Sequence, residues 1–264
     1  MPRVLALDFD GVISNSAPEA FVVAMRTWAA VRSESRSSAL AESLSGDRAP
    51  PLASVRRHPY FAAFLELMPL GNRAEDYAVA LGAIEEGRDL PDQAAYDAYR
   101  AQFDEGWLRD YHARFYGVRE QLAKSDSDGW HRLMAPYAGF VDVIRRRAND
   151  VELCIATAKD RGSVRRLLGF YAIRDLFSED LVLDKETGVT KTAHLLHLQR
   201  HFGCRFDEMT FIDDKVSHLD SVARLGVRCA LACWGFNGER EARIARDAGH
   251  LVCTLENVES QIFG

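Results

Sequence analysis

The run Arg3-Val4-Leu5-Ala6-Leu7-Asp8-Phe9-Asp10-Gly11-Val12 constrains this chain more than any other stretch. Val4 to Leu7 are continuously apolar, the pattern of a strand buried on both faces of a parallel sheet. That strand stops at two carboxylates in i, i+2 spacing, followed at once by Gly11. Ligands of open α/β sheets bind beyond the carboxyl ends of the strands, so Asp8 and Asp10 are expected to face a crevice. Two anions this close repel unless a cation lies between them, and oxygen ligands of this kind suit Mg2+. A strand that ends in solvated acids is the plain alternative, and the remainder of the chain argues against it.

With 264 residues the chain can bury a real core and is long enough for two domains. Its formal charge of −6 argues against a nucleic-acid backbone as partner. The five cysteines are scattered, mostly in apolar runs, and no pair has CxxC spacing. They read as buried, reduced thiols, not as a zinc site or a disulfide framework. The first strand begins at once, which leaves no room for a signal peptide, and no apolar run approaches the ~18 residues of a membrane span. The expectation is a cytoplasmic protein with no membrane partner.

Along the chain, Pro18-Glu19-Ala20 opens an amphipathic helix through about Val31. Residues 32 to 58 are rich in Ser, Arg, Ala and Pro and predict a long exposed connection. Helical pattern resumes from Tyr60 to about Lys124, with Phe61, Phe64, Leu65 and Met68 expected on one face. Asp92 is expected early in a helix after Pro91, ahead of one long run carrying Tyr96, Tyr99, Phe103, Trp107, Tyr111 and Phe115. An aromatic stripe at that spacing reads as packing between helices, with ligand stacking as the alternative. No strand is expected between residues 17 and 130.

From Ala135 helices and strands alternate. A helix is expected over Phe140 to Arg147 and strands over Val151 to Ala156, Leu181 to Leu183, Met209 to Ile212, Val227 to Ala232 and Leu251 to Cys253. Such alternation means βαβ units and a mainly parallel sheet. The predicted fold class is α/β, a Rossmann-like core with helices on both faces and an inserted all-helical cap. The core would comprise residues 1–16 and 135–264, and the cap residues 17–134.

Three of the apolar strands end in polar residues: Asp8 and Asp10, Thr157, and Asp213 with Asp214. A parallel sheet opens those ends on one edge, so they can converge although they are far apart in sequence. Carboxylates, a hydroxyl and a lysine together are what Mg2+-assisted phosphoryl transfer requires. The acids hold the cation, one of them attacks phosphorus, and the donors neutralise charge on the phosphoryl oxygens.

On these residues the chain resembles the haloacid dehalogenase superfamily of hydrolases, in its phosphoglycolate phosphatase-like branch with a first-type helical cap. Asp8-Phe9-Asp10-Gly11-Val12 matches the first motif of that superfamily, DxDGx. Thr157 after an apolar strand matches the second, a lysine opening the helix before the acidic strand the third, and Asp213-Asp214 the fourth. The match covers residues 1–16 and about 135–234; the insert has the position and size of the cap but no motif. The resemblance implies that Asp8 is the nucleophile and Asp10 the general acid and base. Asp8, the Asp10 backbone carbonyl and Asp214 would bind Mg2+, with Asp213 as a further ligand or a group behind the ligands. The phosphate pocket would include Gly11, Thr157, Ala158 and Lys191. Lys191, at a helix start, is preferred over Lys185 as the phosphate lysine. The family often has Asp or Asn four residues beyond its acidic motif; this chain has His218 there, with Asp220 two further on.

Within the superfamily, Asp10 favours phosphate esters over halides, because an alkoxide needs a proton to leave and a halide does not. Phosphonate cleavage would need a Schiff-base lysine from the cap, and Lys124 is the only lysine between residues 17 and 158. The expected function is a Mg2+-dependent phosphatase acting on a small phosphorylated metabolite through an aspartyl-phosphate. A sugar phosphomutase using the same aspartates is the alternative. A receiver-like signalling domain or a non-catalytic Mg2+-binding relative is more remote, since neither accounts for Asp10 together with the insert. The insert is expected to act as a lid that admits small substrates.

Overall fold

The computed structural model describes residues 1–32, 40–71 and 73–264. In chain order its strands are β1 (Val4–Leu7), β2 (Ser14–Asn15), β3 (Ala135–Pro136), β4 (Glu152–Ala156), β5 (Val182–Leu183), β6 (Met209–Asp213), β7 (Arg228–Ala232) and β8 (Leu251–Cys253). Chain contacts divide the protein into two compact units, Met1–Asn15 with Ala135–Gly264, and Ser16–Met134.

The first unit is built on a six-stranded sheet in the order β5-β4-β1-β6-β7-β8. Every pairing in it is parallel. β1 lies at the centre with all four residues fully buried, as its uninterrupted apolar run requires. On one face, Val4, Ala6, Cys154, Ala156, Met209 and Phe211 pack with Leu195, Leu198, Leu219 and Val222 from helices Lys191–Phe202 and Val216–Ala223. Alternation along the strands turns Leu5, Leu7, Leu153 and Ile155 to the other face. Right-handed crossovers place helices Ala138–Arg147 and Arg161–Phe170 there, because the chain moves from β1 to β4 to β5 in the opposite direction to β6-β7-β8. The strand order thus reverses at β1, and the crevice beyond its carboxyl end is where such sheets bind ligands.

Two elements of this unit carried too little pattern to be foreseen. β2 and β3 form a two-stranded antiparallel ribbon, Ser14 opposite Pro136 and Asn15 opposite Ala135. Strands of two residues are below the length at which alternation is legible. Ser14 is fully buried there, its Oγ 2.7 Å from the Tyr171 hydroxyl. A last helix, Val258–Phe263, follows β8 and buries Val258 and Ile262.

The second unit is helical, and no strand occurs among its described residues. Helix Ala17–Val31 buries Phe21, Met25 and Trp28 completely and packs against helices Ala74–Glu86 and Glu105–Ser125. Glu19, fully buried in its first turn, accepts from Arg119 Nε and Nη2 at 2.8 and 2.7 Å and from Trp130 Nε1 at 3.0 Å. Burying a carboxylate is tolerated only with partners of this kind.

Three expectations for this unit are corrected. Residues 33–39 of the Ser/Arg/Pro-rich stretch lie outside the described residues, but the rest of 32–58 is not simply exposed. It forms a short turn, Glu42–Leu44, and a helix, Leu52–Arg56, and it buries Ala41, Leu44 and Val55. Arg26 pins it by donating to the carbonyls of Leu44 at 2.6 Å and Arg48 at 2.7 Å. Composition alone misreads such a segment because a few apolar side chains and one guanidinium decide its course. Leu65 is exposed, whereas Phe61, Phe64 and Leu67 turn inward at spacing three. The long aromatic run is two helices, Gln93–Arg100 and Glu105–Ser125, each opened by an aspartate outside the helix. Asp92 accepts from Ala95 N–H at 2.8 Å and Asp104 from Trp107 N–H at 2.8 Å, so both are N-caps. Tyr96, Tyr111 and Phe115 are buried, which makes the stripe packing.

Burial holds the imidazoles of His194 and His58 below their ordinary pKa of 6.5. His194 Nε2–H donates to the Asp184 carbonyl at 2.9 Å, and His58 Nδ1 accepts from Tyr60 N–H at 3.2 Å. Both rings are therefore neutral in the fold. A depressed folded pKa means that the unfolded chain takes up protons first as pH falls below 6.5, so this stability is present above 6.5 and lost on acidification. His58→Gln/His194→Gln is expected to melt below the wild type at pH 7.5, with the gap narrowing by pH 5.5. A gap independent of pH in thermal melts would refute the assignment.

Candidate active site

The parallel register sets the site. Leu7 pairs with Ile155 on β4 and Ile212 on β6, which brings Asp8 level with the end of β4 and with Asp213. Asp8 N–H continues the ladder to the Ile212 carbonyl at 2.9 Å, and Asp8 Oδ1 accepts from Phe9 N–H at 2.7 Å. The chain then turns at Gly11, whose φ of +83° is a conformation that side chains rarely adopt. A Cβ on Gly11 would lie 2.2 Å from Asp214 Oδ2, so glycine here is also a matter of space.

Lys191 opens its helix and is buried beside these acids. Its Nζ lies 2.8 Å from Asp8 Oδ1, 3.2 Å from Asp213 Oδ2 and 2.7 Å from the Ala156 carbonyl. Three acceptors satisfy the three ammonium donors. Thr190, the N-cap, accepts from Ala193 N–H at 3.1 Å and fixes where the helix begins. Lys185 is exposed and belongs to no such cluster. On the far side of Asp213, His218 Nδ1 approaches both carboxylate oxygens at 3.0 and 3.1 Å. Asp220 is exposed and bonded to His250 at 2.7 Å, away from the site.

The charges are unevenly compensated. Burial would raise the Asp213 pKa, but Lys191 and His218 hold it far below the usual carboxylate range. Burial alone would lower Lys191; Asp213 and Asp8 hold it above its usual value instead. Asp8 is raised by burial, which Lys191 only partly offsets, and by Asp213. Asp214 is raised most clearly, by burial first and then by the anions Asp213 and Asp8. Its Oδ2 accepts from Phe236 N–H at 2.8 Å, and that bond and the Lys215 charge offset the rise only in part.

This imbalance tests whether a cation fits. Asp8, Asp213 and His218 each offer a ligand atom within 4.8 Å of one another, but Lys191 Nζ already bridges the two acids of that set. Asp8 and Asp214 are the two acids that remain raised and repel each other, their nearby donors offsetting burial only in part. A hard divalent cation with oxygen ligands relieves that repulsion, so the residues present fit Mg2+.

Several other residues shape the edge. Thr157 is buried after β4; its N–H donates to the Leu183 carbonyl at 2.9 Å and its Oγ1 accepts from Lys159 N–H at 3.2 Å. Ala158 is exposed in the bend that follows. The loop after β7 closes on Asp214. A Cβ on Gly235 would meet Asp214 Cβ and the Gly11 carbonyl, each at 2.4 Å, and Asn237 Nδ2 donates to the Asp214 carbonyl at 3.0 Å. Neither this loop nor Lys159, whose Nζ lies 3.2 Å from both oxygens of Asp10, was foreseen from the sequence. For Lys159 the one available signal was its place two residues beyond Thr157.

No family model matches the sequence, and no curated protein matches it. Solved structures do match. One, from Lactobacillus delbrueckii subsp. bulgaricus and provisionally described as a phosphoglycolate phosphatase, has a TM-score of 0.65 at 14% identity, with 100% of both chains covered. A haloacid dehalogenase-like family hydrolase from Streptococcus pneumoniae has a TM-score of 0.62 at 10% identity over 98% of each chain. A predicted phosphatase from Clostridium acetobutylicum has a TM-score of 0.57 at 13% identity, covering 99% of this chain and 98% of its own. At such identities the likeness is one of fold, and over its whole length the chain has the fold of the haloacid dehalogenase-like hydrolases.

Proposed function

We propose that the protein is a Mg2+-dependent phosphatase that hydrolyses a small phosphomonoester through an aspartyl-phosphate on Asp8. The observation that carries this reading is the pairing of Lys191 with Asp8 and Asp213, beside Asp214, whose charge burial and the two neighbouring anions disfavour, at the switch point of the sheet. Structures of the same fold described as phosphatases support it.

In the first step an Asp8 carboxylate oxygen attacks phosphorus. The ester P–O bond breaks, and Asp10 gives its proton to the leaving oxygen. In the second, Asp10 takes a proton from water as the water oxygen bonds phosphorus and the bond to Asp8 breaks, releasing inorganic phosphate. Lys191 and the Thr157 hydroxyl would hold charge on the phosphoryl oxygens. Asp8, Asp214 and the Asp10 carbonyl would bind Mg2+, which supplies positive charge that brings the anionic nucleophile and the phosphoryl group together. The restriction to small substrates rests on the helical unit acting as a cap.

A panel of phosphorylated metabolites assayed with Mg2+ for released phosphate tests the reading. Excess EDTA is expected to abolish release, Mg2+ to restore it, and Ca2+ to leave the enzyme inactive, because Ca2+ accepts looser geometry and more ligands than in-line attack tolerates. Full activity in excess chelator would remove the metal from the reaction. Consumption of a sugar phosphate with phosphoryl transfer to another hydroxyl, and no free phosphate, would make the protein a mutase.

A further inference from the structure

We infer that Lys159 is the positioning residue of Asp10. The inference rests on the function proposed above and adds a residue that the sequence motifs do not include. Lys159 Nζ lies 3.2 Å from both carboxylate oxygens of Asp10. Its side chain is 11% exposed, whereas that of Asp10 is 31% exposed. A carboxylate with that much access to water has more than one rotamer open to it, and a cation shared between its two oxygens selects one.

The stem of the lysine starts from fixed backbone. Its own N–H donates to Thr157 Oγ1 at 3.2 Å. The next residue, Asp160, caps helix Arg161–Phe170 by accepting from Ser163 N–H at 2.8 Å. The turn carrying Asp10 is also fixed, with Gly11 N–H donating to the Ser14 carbonyl at 2.8 Å. Two anchored backbones therefore meet through one ion pair.

Asp10 matters most when water attacks the aspartyl-phosphate. There the water O–P bond forms, the P–O bond to Asp8 breaks, and the proton released by water goes to Asp10. An aryl phosphate isolates that step, because an aryloxide leaves without being protonated and the first step no longer needs Asp10. The competing role for the same ammonium is direct binding of the substrate phosphoryl group, which would act in the first step.

Kinetics separate the two roles. With an aryl phosphate, Lys159→Met is expected to lower kcat about ten- to a hundredfold, to leave kcat/KM within about twofold, and to accumulate acid-stable phosphoenzyme. Lys159→Arg, which keeps the charge, should recover part of kcat. Lys159→Gln, checked by thermal melting, gives the same comparison if the methionine variant is not folded. A fall in kcat/KM with kcat unchanged would make Lys159 a phosphoryl-binding residue, and two unchanged parameters would make it idle; either overturns the inference. Asp10→Asn is measured alongside. If it accumulates phosphoenzyme and the Lys159 variants do not, the inference alone fails; if it accumulates none, the two-step reaction fails with it.

Discussion

Asp8→Asn is expected to lower kcat by about 10⁴-fold or more without loss of stability. The substitution removes the attacking oxygen while keeping the volume and one acceptor for Phe9 N–H and Lys191, the partners of Asp8 Oδ1. Stability should hold or rise, because burial and Asp213 already disfavour the Asp8 charge in the fold. A carboxyl raised above its ordinary value costs stability wherever it is ionised in the unfolded chain, and asparagine removes that cost. The variant also relieves Asp214, which Asp8 helps to push upward. Turnover within tenfold of wild type would exclude Asp8 as nucleophile, and a melting temperature well below wild type would contradict the charge account.

Lys191→Met is expected to fail in the opposite way, losing stability as well as activity. It removes the ammonium that bridges Asp8 and Asp213 and leaves their charges buried with Asp214 nearby. Breaking a buried pair from one side costs about 3–5 kcal/mol, since the remaining charge stays uncompensated. For a chain of this size that corresponds to a fall in melting temperature of about 10 °C. Added Mg2+ should recover part of the loss by supplying positive charge to the same acids. A variant as stable as wild type, measured without divalent cations, would show that Lys191 does not hold the acidic cluster together.

The parts of the fold that could be read from the sequence are those with strong, repeated pattern. Val4 to Leu7 and Leu153 to Ala156 are apolar at every position and Met209 to Ile212 at all but Thr210, the pattern of strands buried on both faces, and all are strands of the central sheet. Their polar ends mark where chemistry can occur and single out Asp8 and Asp213, whereas Lys191, at a helix start, is singled out only by the resemblance to the family's lysine motif. Elements decided by one or two contacts were not. The β2–β3 ribbon depends on two residue pairs, and the turn and helix within residues 40–58 depend on Arg26 and three buried apolar side chains. Lys159 was missed because its significance lies in the bend after Thr157, which aims it across the sheet edge at Asp10. Spacing in the sequence carries no record of that direction. The same holds for the loop Gly235-Phe236-Asn237, whose closure on Asp214 uses backbone groups and is invisible to residue type.

A covalent phosphoryl-enzyme on Asp8 can be measured directly. Asp10→Asn is mixed with a ³²P-labelled aryl phosphate and Mg2+, quenched in acid, and digested with trypsin. One labelled peptide is expected, Val4 to Arg26, which contains Asp8. Fragmentation should place the phosphoryl group on Asp8, and neutral hydroxylamine should release it, as expected of an acyl phosphate. Label on any other residue, or no label in a variant that still turns over substrate, would contradict it.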